Sequence, residues 1–196
     1  MTDRLGTVWY VSGPHGAGKS TLVERAVAAG VAFAGSRVPP AATDPNPSVR
    51  ARMNLERYAR EHRENLRLAS SNAEGIVLGD RCVYDVFAYA RARSTWGSAD
   101  RTDEVSLRWE ARHQFREWGC PKNVIFLVPS AATIRLHLAS RECEVPWRKD
   151  AGPFLDVLIS AYHRLYDVLR RSRSHRVRLV MDGAADLCWI GALHAE

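Results

Sequence analysis

Short, mostly apolar segments alternate along the chain with longer stretches in which apolar residues recur at helical spacing. Short apolar segments of this kind are typical of parallel strands that are covered on both faces. They predict strands over residues 7–12, 31–34, 75–80, 123–128 and 177–181. The stretches between them predict helices over residues 19–29, 47–71, 83–92, 103–118, 131–139, 154–171 and 184–194. This alternation indicates an α/β fold, a doubly wound parallel sheet of about five strands with helices on both faces.

The length and composition are those of a single globular domain over residues 1–196. A chain of 196 residues, 46% hydrophobic and 26% charged, can bury one good core and is short for two. No apolar run has the length of a membrane span and residues 1–4 lack a signal-peptide pattern, so a cytoplasmic location is expected. The four cysteines form no C-x-x-C pair, which predicts reduced thiols rather than a zinc site or disulfides.

The first predicted strand leads into a glycine-rich segment with the sequence GPHGAGKS, residues 13–20. This segment matches G-x-x-x-x-G-K-S, in which glycines let backbone N–H groups turn inward around phosphate oxygens. In such a loop Lys19 reaches the β- and γ-phosphates, the Ser20 hydroxyl helps to hold Mg²⁺, and the following helix adds its positive dipole end. The alternative is a turn that merely joins a strand to a helix. The complete spacing and the strand–loop–helix context favour a nucleotide site.

A second informative segment is the predicted strand over residues 75–80, which ends in Asp80 and is followed by Arg81. Open α/β sheets place their chemistry at the carboxyl ends of the strands. Asp80 would orient Mg²⁺ through water or accept a proton, and Arg81 would bridge the transferred phosphate. The alternative is an aspartate–arginine pair that only closes the strand end. We favour the catalytic interpretation because a phosphate loop lies upstream.

Residues 35–48 form a predicted irregular loop, because prolines stand at four positions in it. Its place after the second strand suggests a loop on the side of the phosphoryl acceptor, with Arg37 and Asp44 as its notable polar residues. The helix after Arg81 carries two aromatic residues, Tyr84 and Phe87. They either pack in the core or stack against a nucleobase, since aromatic faces serve both uses.

The formal net charge is +6, and arginine carries most of the positive charge. Arginine suits phosphate because its planar fork makes paired hydrogen bonds. An enzyme that binds two polyphosphate ligands and a nucleic-acid-binding protein would both show this charge balance. The sequence has no basic–aromatic nucleic-acid motif, which favours the enzyme.

Together these segments resemble the thymidylate kinase and deoxynucleoside kinase group of phosphate-loop kinases. The resemblance rests on residues 13–20, on Asp80-Arg81 and on the block from Phe126 to Ala184. In that group a phosphate loop, a D-R motif before an aromatic-rich helix, an arginine-rich lid and a long helix follow in the same order. The resemblance implies ATP and Mg²⁺ as cofactors and a lid around residues 140–150.

The resemblance also implies individual roles. The ATP phosphates and Mg²⁺ would be held by Gly13, Gly16, Gly18, Lys19, Ser20 and Thr21, and we group His15 and Ala17 with these cofactor-binding positions. Arg81 would contact the acceptor or the transferred group. Arg135, Arg141 and Arg148 would lie on or around the lid, with Arg141 at its tip to close over the γ-phosphate. We expect Ser20 and Asp80 at the metal, and Arg148 towards the substrate.

The chain departs from the family pattern on the acceptor side. Thymidylate kinases usually carry an acid inside the phosphate loop, where this chain has His15. Their Arg-Glu-Pro signature is Arg37-Val38-Pro39 in this chain, and Ala90 stands near the place of their glutamine. Residues 33–38 contain no carboxylate like the general base of deoxynucleoside kinases. The acceptor site is therefore expected to differ from that of the family.

These observations predict a kinase that transfers the γ-phosphoryl group of ATP to a nucleoside monophosphate or nucleoside-like acceptor, with a pyrimidine deoxynucleotide favoured. If the acceptor is a hydroxyl, Asp80 or Asp44 is the candidate base. One alternative is a kinase acting on a modified base in DNA, such as a hydroxymethyl pyrimidine. A nucleotide-dependent switch is less favoured, because the segment 121–124 lacks the acid of a guanine-reading element. A homodimer is plausible if Tyr89, Trp109 or Trp118 is exposed.

Overall fold

Five parallel strands form one sheet in the computed structural model, which describes residues 6–38, 46–72, 75–97, 101–140, 151–181 and 187–194. The strands are β1 (Thr7–Ser12), β2 (Phe33–Ala34), β3 (Ile76–Asp80), β4 (Asn123–Leu127) and β5 (Arg176–Val180). Their order across the sheet is β2-β3-β1-β4-β5. The predicted doubly wound parallel sheet of five strands is therefore confirmed.

Seven α-helices lie in the described part of the chain. They are α1 (Lys19–Ala28), α2 (Pro47–Ser71), α3 (Val83–Thr95), α4 (Arg101–Gln114), α5 (Ala131–Ala139), α6 (Ala151–Arg170) and α7 (Cys188–Gly191), the last continued by a 3₁₀ turn over Ala192–His194. None of the described helices is long and apolar enough to cross a bilayer.

Strand β1 lies in the middle of the sheet and divides the core between its two faces. Val8 and Tyr10 point into a core formed with α2, α3, α4 and α6, whereas Trp9 and Val11 point into a second core formed with α1 and α7. This alternation follows the two-residue period of a strand. Val11 lies opposite Asp80 of β3 and Ile125 of β4, so the carboxyl ends of the three central strands meet at one edge.

The second strand is shorter than the predicted range 31–34, because part of that range ends the preceding helix. Gly30 adopts φ +69°, its N–H bonds the Val27 carbonyl, and the Val31 N–H bonds the Ala26 carbonyl. These two bonds are the Schellman arrangement that commonly terminates a helix. Val31 therefore closes α1, and only Phe33 and Ala34 pair with β3.

Several helix ends also differ from the sequence prediction. Helix α4 ends at Gln114 rather than 118, and Gly119 at φ +71° turns the chain towards β4. Of the predicted last helix over 184–194, residues 184–186 lie outside the described chain. Residues 141–150 of the predicted lid, and residues 39–45 of the predicted acceptor loop, also lie outside it.

Candidate active site

The phosphate loop, residues 13–20, connects the carboxyl end of β1 to the start of α1. Gly16 and Gly18 adopt φ +81° and +90°, which residues with a Cβ atom rarely do. A Cβ atom at Gly13 would lie 2.1 Å from the Leu127 carbonyl oxygen. The glycines of the motif are therefore needed both for the turn and for close packing against β4.

Lys19 lies inside this loop and is only 4% exposed. Its Nζ donates hydrogen bonds to the Gly13 and Pro14 carbonyl oxygens, at 2.8 and 2.7 Å. The loop thus wraps around the ammonium group, at the positive end of the α1 dipole. The sequence prediction that Lys19 supplies charge within a phosphate cradle fits this arrangement.

Ser20, Arg37 and Asp80 meet beside the loop. The Ser20 Oγ donates to Asp80 Oδ2 at 2.6 Å, and the Arg37 Nη2 donates to the same oxygen at 3.2 Å. The other oxygen, Asp80 Oδ1, is buried without a hydrogen-bond partner among the described residues. A hydroxyl and a carboxylate with an unused oxygen form the kind of donor set that Mg²⁺ prefers.

Arg81 occupies the next position after β3 and has an unusual backbone. Its φ of +82° lies in the left-handed region, and its N–H bonds the Val11 carbonyl at 2.9 Å. Its Nη2 donates to His15 Nδ1 at 3.1 Å. In this bond Nδ1 is the acceptor, because a guanidinium group can only donate. The arginine and the unusual loop residue of the sequence analysis thus form one pair.

The loop is anchored by three side chains that the sequence analysis did not select as site residues. Asp85 Oδ1 accepts from the Gly13 N–H at 3.1 Å, and its Oδ2 accepts from the Cys82 N–H at 2.9 Å. The Tyr162 hydroxyl lies 2.7 Å from Asp85 Oδ1 and 2.9 Å from the Gly13 carbonyl oxygen. The Tyr89 hydroxyl accepts from the His15 N–H at 3.1 Å, so Tyr89 is not an exposed residue available for a dimer.

A signal for Asp85 was present in the sequence, because acidic residues at the third position of a helix often close a capping box. That pattern does not reveal its second bond, to a loop 72 residues earlier. Burial, with a contribution from the Asp85 carboxylate, raises the pKa of Tyr162 well above its usual value, so this hydroxyl stays protonated.

On its other side the loop contacts α5. His137 Nδ1 donates to the Gly16 carbonyl at 2.9 Å, and Leu138 packs where a Cβ atom of Gly16 would lie. A cleft of about 320 Å³ opens between the loop and this helix, and its lining includes Thr21, Arg25, Thr133 and His137. This volume lies at the lower end of the range of small-ligand pockets.

Three predicted site residues lie elsewhere. Arg135 faces α6, where its Nη2 is 3.4 Å from the Gly152 carbonyl oxygen and 3.8 Å from Asp156. Tyr84 is buried in the core, its hydroxyl bonded to the Pro121 carbonyl before β4, and Phe87 packs edge-on against it. The structure therefore places Tyr84 in the core with Phe87 packed against it, because this side of α3 lies against β4. The candidates Asp44, Arg141 and Arg148 lie outside the described residues.

The acceptor loop is held by side chains of α2. Asn65 Oδ1 accepts from the Ser36 N–H at 2.6 Å, and Glu61 Oε1 accepts from the Val38 N–H at 3.0 Å. Burial raises the pKa of Glu61, an effect that the Val38 N–H and Arg57 oppose.

A buried polar network continues beneath this loop. Asn65 Nδ2 donates to the Tyr10 hydroxyl at 3.3 Å, and that hydroxyl lies 2.6 Å from His62 Nδ1. Burial lowers the pKa of His62 to about 4. At neutral pH the imidazole is therefore uncharged and accepts the hydrogen bond of Tyr10.

The fold has counterparts among solved structures of nucleoside and nucleotide kinases. A deoxyadenosine kinase from M. mycoides with bound dATP superimposes with a TM-score of 0.61 over 95% of both chains, at 17% sequence identity. A thymidylate kinase from Candida albicans gives a TM-score of 0.61 at 14% identity, over 96% of this chain and 89% of that one. No protein-family model and no curated protein sequence matches this chain. The chain therefore has the phosphate-loop kinase fold.

Proposed function

We propose that this protein is a kinase that transfers the γ-phosphoryl group of ATP to a nucleoside monophosphate, with a pyrimidine deoxynucleotide favoured. The observation that carries the proposal is the meeting of Ser20, Arg37 and Asp80 beside a phosphate loop that encloses Lys19. Ser20 and Arg37 come from two different segments of the chain, and both donate to the carboxylate of Asp80 in a third. The similarity in fold to nucleoside and nucleotide kinases supports the same reaction class.

The donor side follows from the loop. Its backbone N–H groups and Lys19 are suited to the β- and γ-phosphates, where they neutralise charge that builds up on the leaving ADP. Phosphoryl transfer depends more on alignment and charge neutralisation than on covalent chemistry by the protein. The burial of Lys19 fits this role, because electrostatic interactions are stronger away from water.

The residues present fit a magnesium ion. Ser20 Oγ and Asp80 would hold it, directly or through water, and the buried Oδ1 of Asp80 is the carboxylate oxygen that no described residue uses. The described residues contain no cluster of three or more histidine, cysteine or acidic side chains, so phosphate oxygens and water would complete the ligand set. A bound Mg²⁺ would neutralise the β- and γ-phosphate oxygens.

The acceptor side favours a phosphate over a hydroxyl. Arg37 holds its guanidinium at Asp80, and Arg81 holds its guanidinium at His15 of the phosphate loop, which suits an anionic acceptor. A hydroxyl would need a general base, but Asp80 Oδ2 already accepts from Ser20 and Arg37, and Asp80 Oδ1 is the oxygen proposed for Mg²⁺. An oxygen of a monophosphate is already anionic. It would form the new P–O bond as the bond from the γ-phosphorus to ADP breaks, which yields a nucleoside diphosphate.

A screen of ADP formation from Mg-ATP tests the proposal. The panel contains dTMP, dUMP and dCMP, the corresponding nucleosides, and duplex DNA with hydroxymethyl pyrimidines. Turnover with a monophosphate, together with a rise in the acceptor KM of about tenfold or more in Arg37→Ala, is the expected result. Arg67→Ala is the matched control, because Arg67 lies exposed at the far end of α2 and pairs with Glu64. Phosphorylation of DNA alone would favour the modified-base alternative. If none of the acceptors in the panel is phosphorylated, the assignment as a kinase of this class is overturned.

A further inference from the structure

We propose that Glu61 and Asn65 are positioning residues that aim Arg37 at Asp80. They do so by binding the backbone of residues 36–38 in place of a neighbouring strand. The proposal rests on the proposed function only for what Arg37 does once it is in place. The geometric part, that two helix side chains fix the loop, rests on contacts within the chain.

The loop continues β2 beyond the point where sheet pairing stops. Strand β2 pairs with β3 at only two positions, and the last bond to the sheet is from the Gly35 N–H to the Leu78 carbonyl at 2.8 Å. The Ser36 and Val38 N–H groups that follow are both accepted by side chains of α2. Backbone donors that would otherwise lack a partner at the sheet edge are thereby satisfied.

The spacing of the two side chains matches the spacing of the two amides. Glu61 and Asn65 are four residues apart on α2 and therefore share one face, about 6 Å apart along the helix axis. Two residues of an extended chain span about 6.7 Å, so Ser36 and Val38 can face the helix together. Arg37 lies between these two anchored amides, with its Nη2 3.2 Å from Asp80 Oδ2.

Both acceptors are themselves fixed. Asn65 is fully buried and Glu61 is 7% exposed. The amide of Asn65 has its orientation set from both ends, since its oxygen accepts from Ser36 while its nitrogen donates to the Tyr10 hydroxyl. Glu61 Oε1 lies 3.7 Å from Arg57 Nε in addition to its bond with Val38. A rigid helix thus dictates the path of a loop that has no regular structure of its own.

This arrangement explains how an exposed arginine keeps a defined place. The side chain of Arg37 is 54% exposed, and a long exposed side chain ordinarily samples many rotamers. Fixing the backbone on both sides of Arg37 limits where its guanidinium can reach. The carboxylate that orders this loop thus comes from Glu61 on α2, 23 residues away from the amide it binds.

The test compares Glu61→Met with Glu61→Gln, and Asn65→Leu serves as an independent second variant. Methionine keeps the volume of the side chain but cannot accept the Val38 bond, whereas glutamine keeps an accepting oxygen and loses only the charge. Amide hydrogen exchange at Val38 should be about tenfold faster or more in Glu61→Met and near wild type in Glu61→Gln. In Asn65→Leu the faster exchange should appear at Ser36. Glu64→Ala, on the exposed face of the same helix, is the control.

A double-mutant cycle with Arg37→Ala separates positioning from general stability. Glu61→Met should raise the acceptor KM about tenfold in the wild-type background and leave it unchanged in the Arg37→Ala background. An equal rise in both backgrounds, or failure of Glu61→Gln to restore the wild-type KM, would overturn the positioning role. If one disruptive variant does not fold, the cycle with the other gives the result. Should no acceptor be phosphorylated at all, the proposed function fails, and the exchange measurement still decides whether Glu61 and Asn65 order the loop.

Discussion

The phosphate loop and the acceptor loop both follow strands of the same sheet, yet they obtain their shapes in different ways. Residues 13–20 shape themselves: glycines adopt the left-handed region, and Lys19 satisfies carbonyl oxygens five and six positions before it. Residues 35–38 depend on Asn65 and Glu61, which lie 29 and 23 residues beyond the amides they bind. The first loop is therefore visible as a sequence motif, whereas the second is not.

The contrast does not extend to how the loops are anchored. The phosphate loop is tied down by Asp85, by Tyr162 from α6 and by His137 from α5, up to 149 residues away. Both loops thus depend on distant parts of the chain for their place in the molecule. The conformation of the phosphate loop is therefore determined by residues within it, whereas the side chains that anchor it come from distant parts of the chain.

The largest expected effect comes from removing the charge inside the phosphate loop. Lys19→Ala should lower kcat/KM for ATP by about a thousandfold, because the charge on the phosphates would lose its buried counterpart. Steady-state kinetics and binding of a fluorescent ATP analogue provide the measurements. Lys122→Ala, at an exposed position before β4, should leave both unchanged. If kcat/KM fell no more in Lys19→Ala than in Arg37→Ala or Glu61→Met, the contrast between the two loops would be wrong.

The next effect concerns the distant anchor of the phosphate loop. Asp85→Asn should lower the free energy of unfolding by about 3 kcal/mol, because an amide cannot accept from the Gly13 and Cys82 N–H groups on both atoms. Urea denaturation measures this loss. Asp156→Asn, at an exposed position on α6, should change stability by no more than about 0.5 kcal/mol. Equal stability of the two variants would show that Asp85 is not an anchor.

The smallest effect is a pH dependence beneath the acceptor loop. The pKa of His62 is about 4 in the folded chain and about 6.5 when unfolded, so between these values only the unfolded state gains a proton. Stability should therefore fall as the pH falls, by about 2 kcal/mol more between pH 6 and pH 4.5 in the wild type than in His62→Gln. Urea denaturation at both pH values gives the comparison, and Glu61 titrates in both proteins. Identical losses in the two proteins would rule out His62 as the cause.

The same division explains what the sequence could predict. The bounds of β1 and α2, the phosphate loop and the place of Asp80 follow from local patterns, namely apolar runs, glycine spacing and proline at a helix start. The sequence is compatible with Tyr84 either in the core or against a nucleobase. Its contacts with Pro121 and Phe126 in the folded chain place it in the core. Glu61 lies in a stretch of α2 that is rich in arginine and glutamate, and helical periodicity does not reveal that a neighbouring loop covers it.

The backbone of Arg81 has a consequence for how this protein can change over time. A side chain in the left-handed region costs about 1 kcal/mol relative to glycine, and asparagine tolerates it better than arginine does. Replacing Arg81 by glycine would relieve this cost but would remove the guanidinium that bonds His15. Thermostabilising designs therefore have to weigh backbone strain at position 81 against the bond that its side chain makes to the phosphate loop.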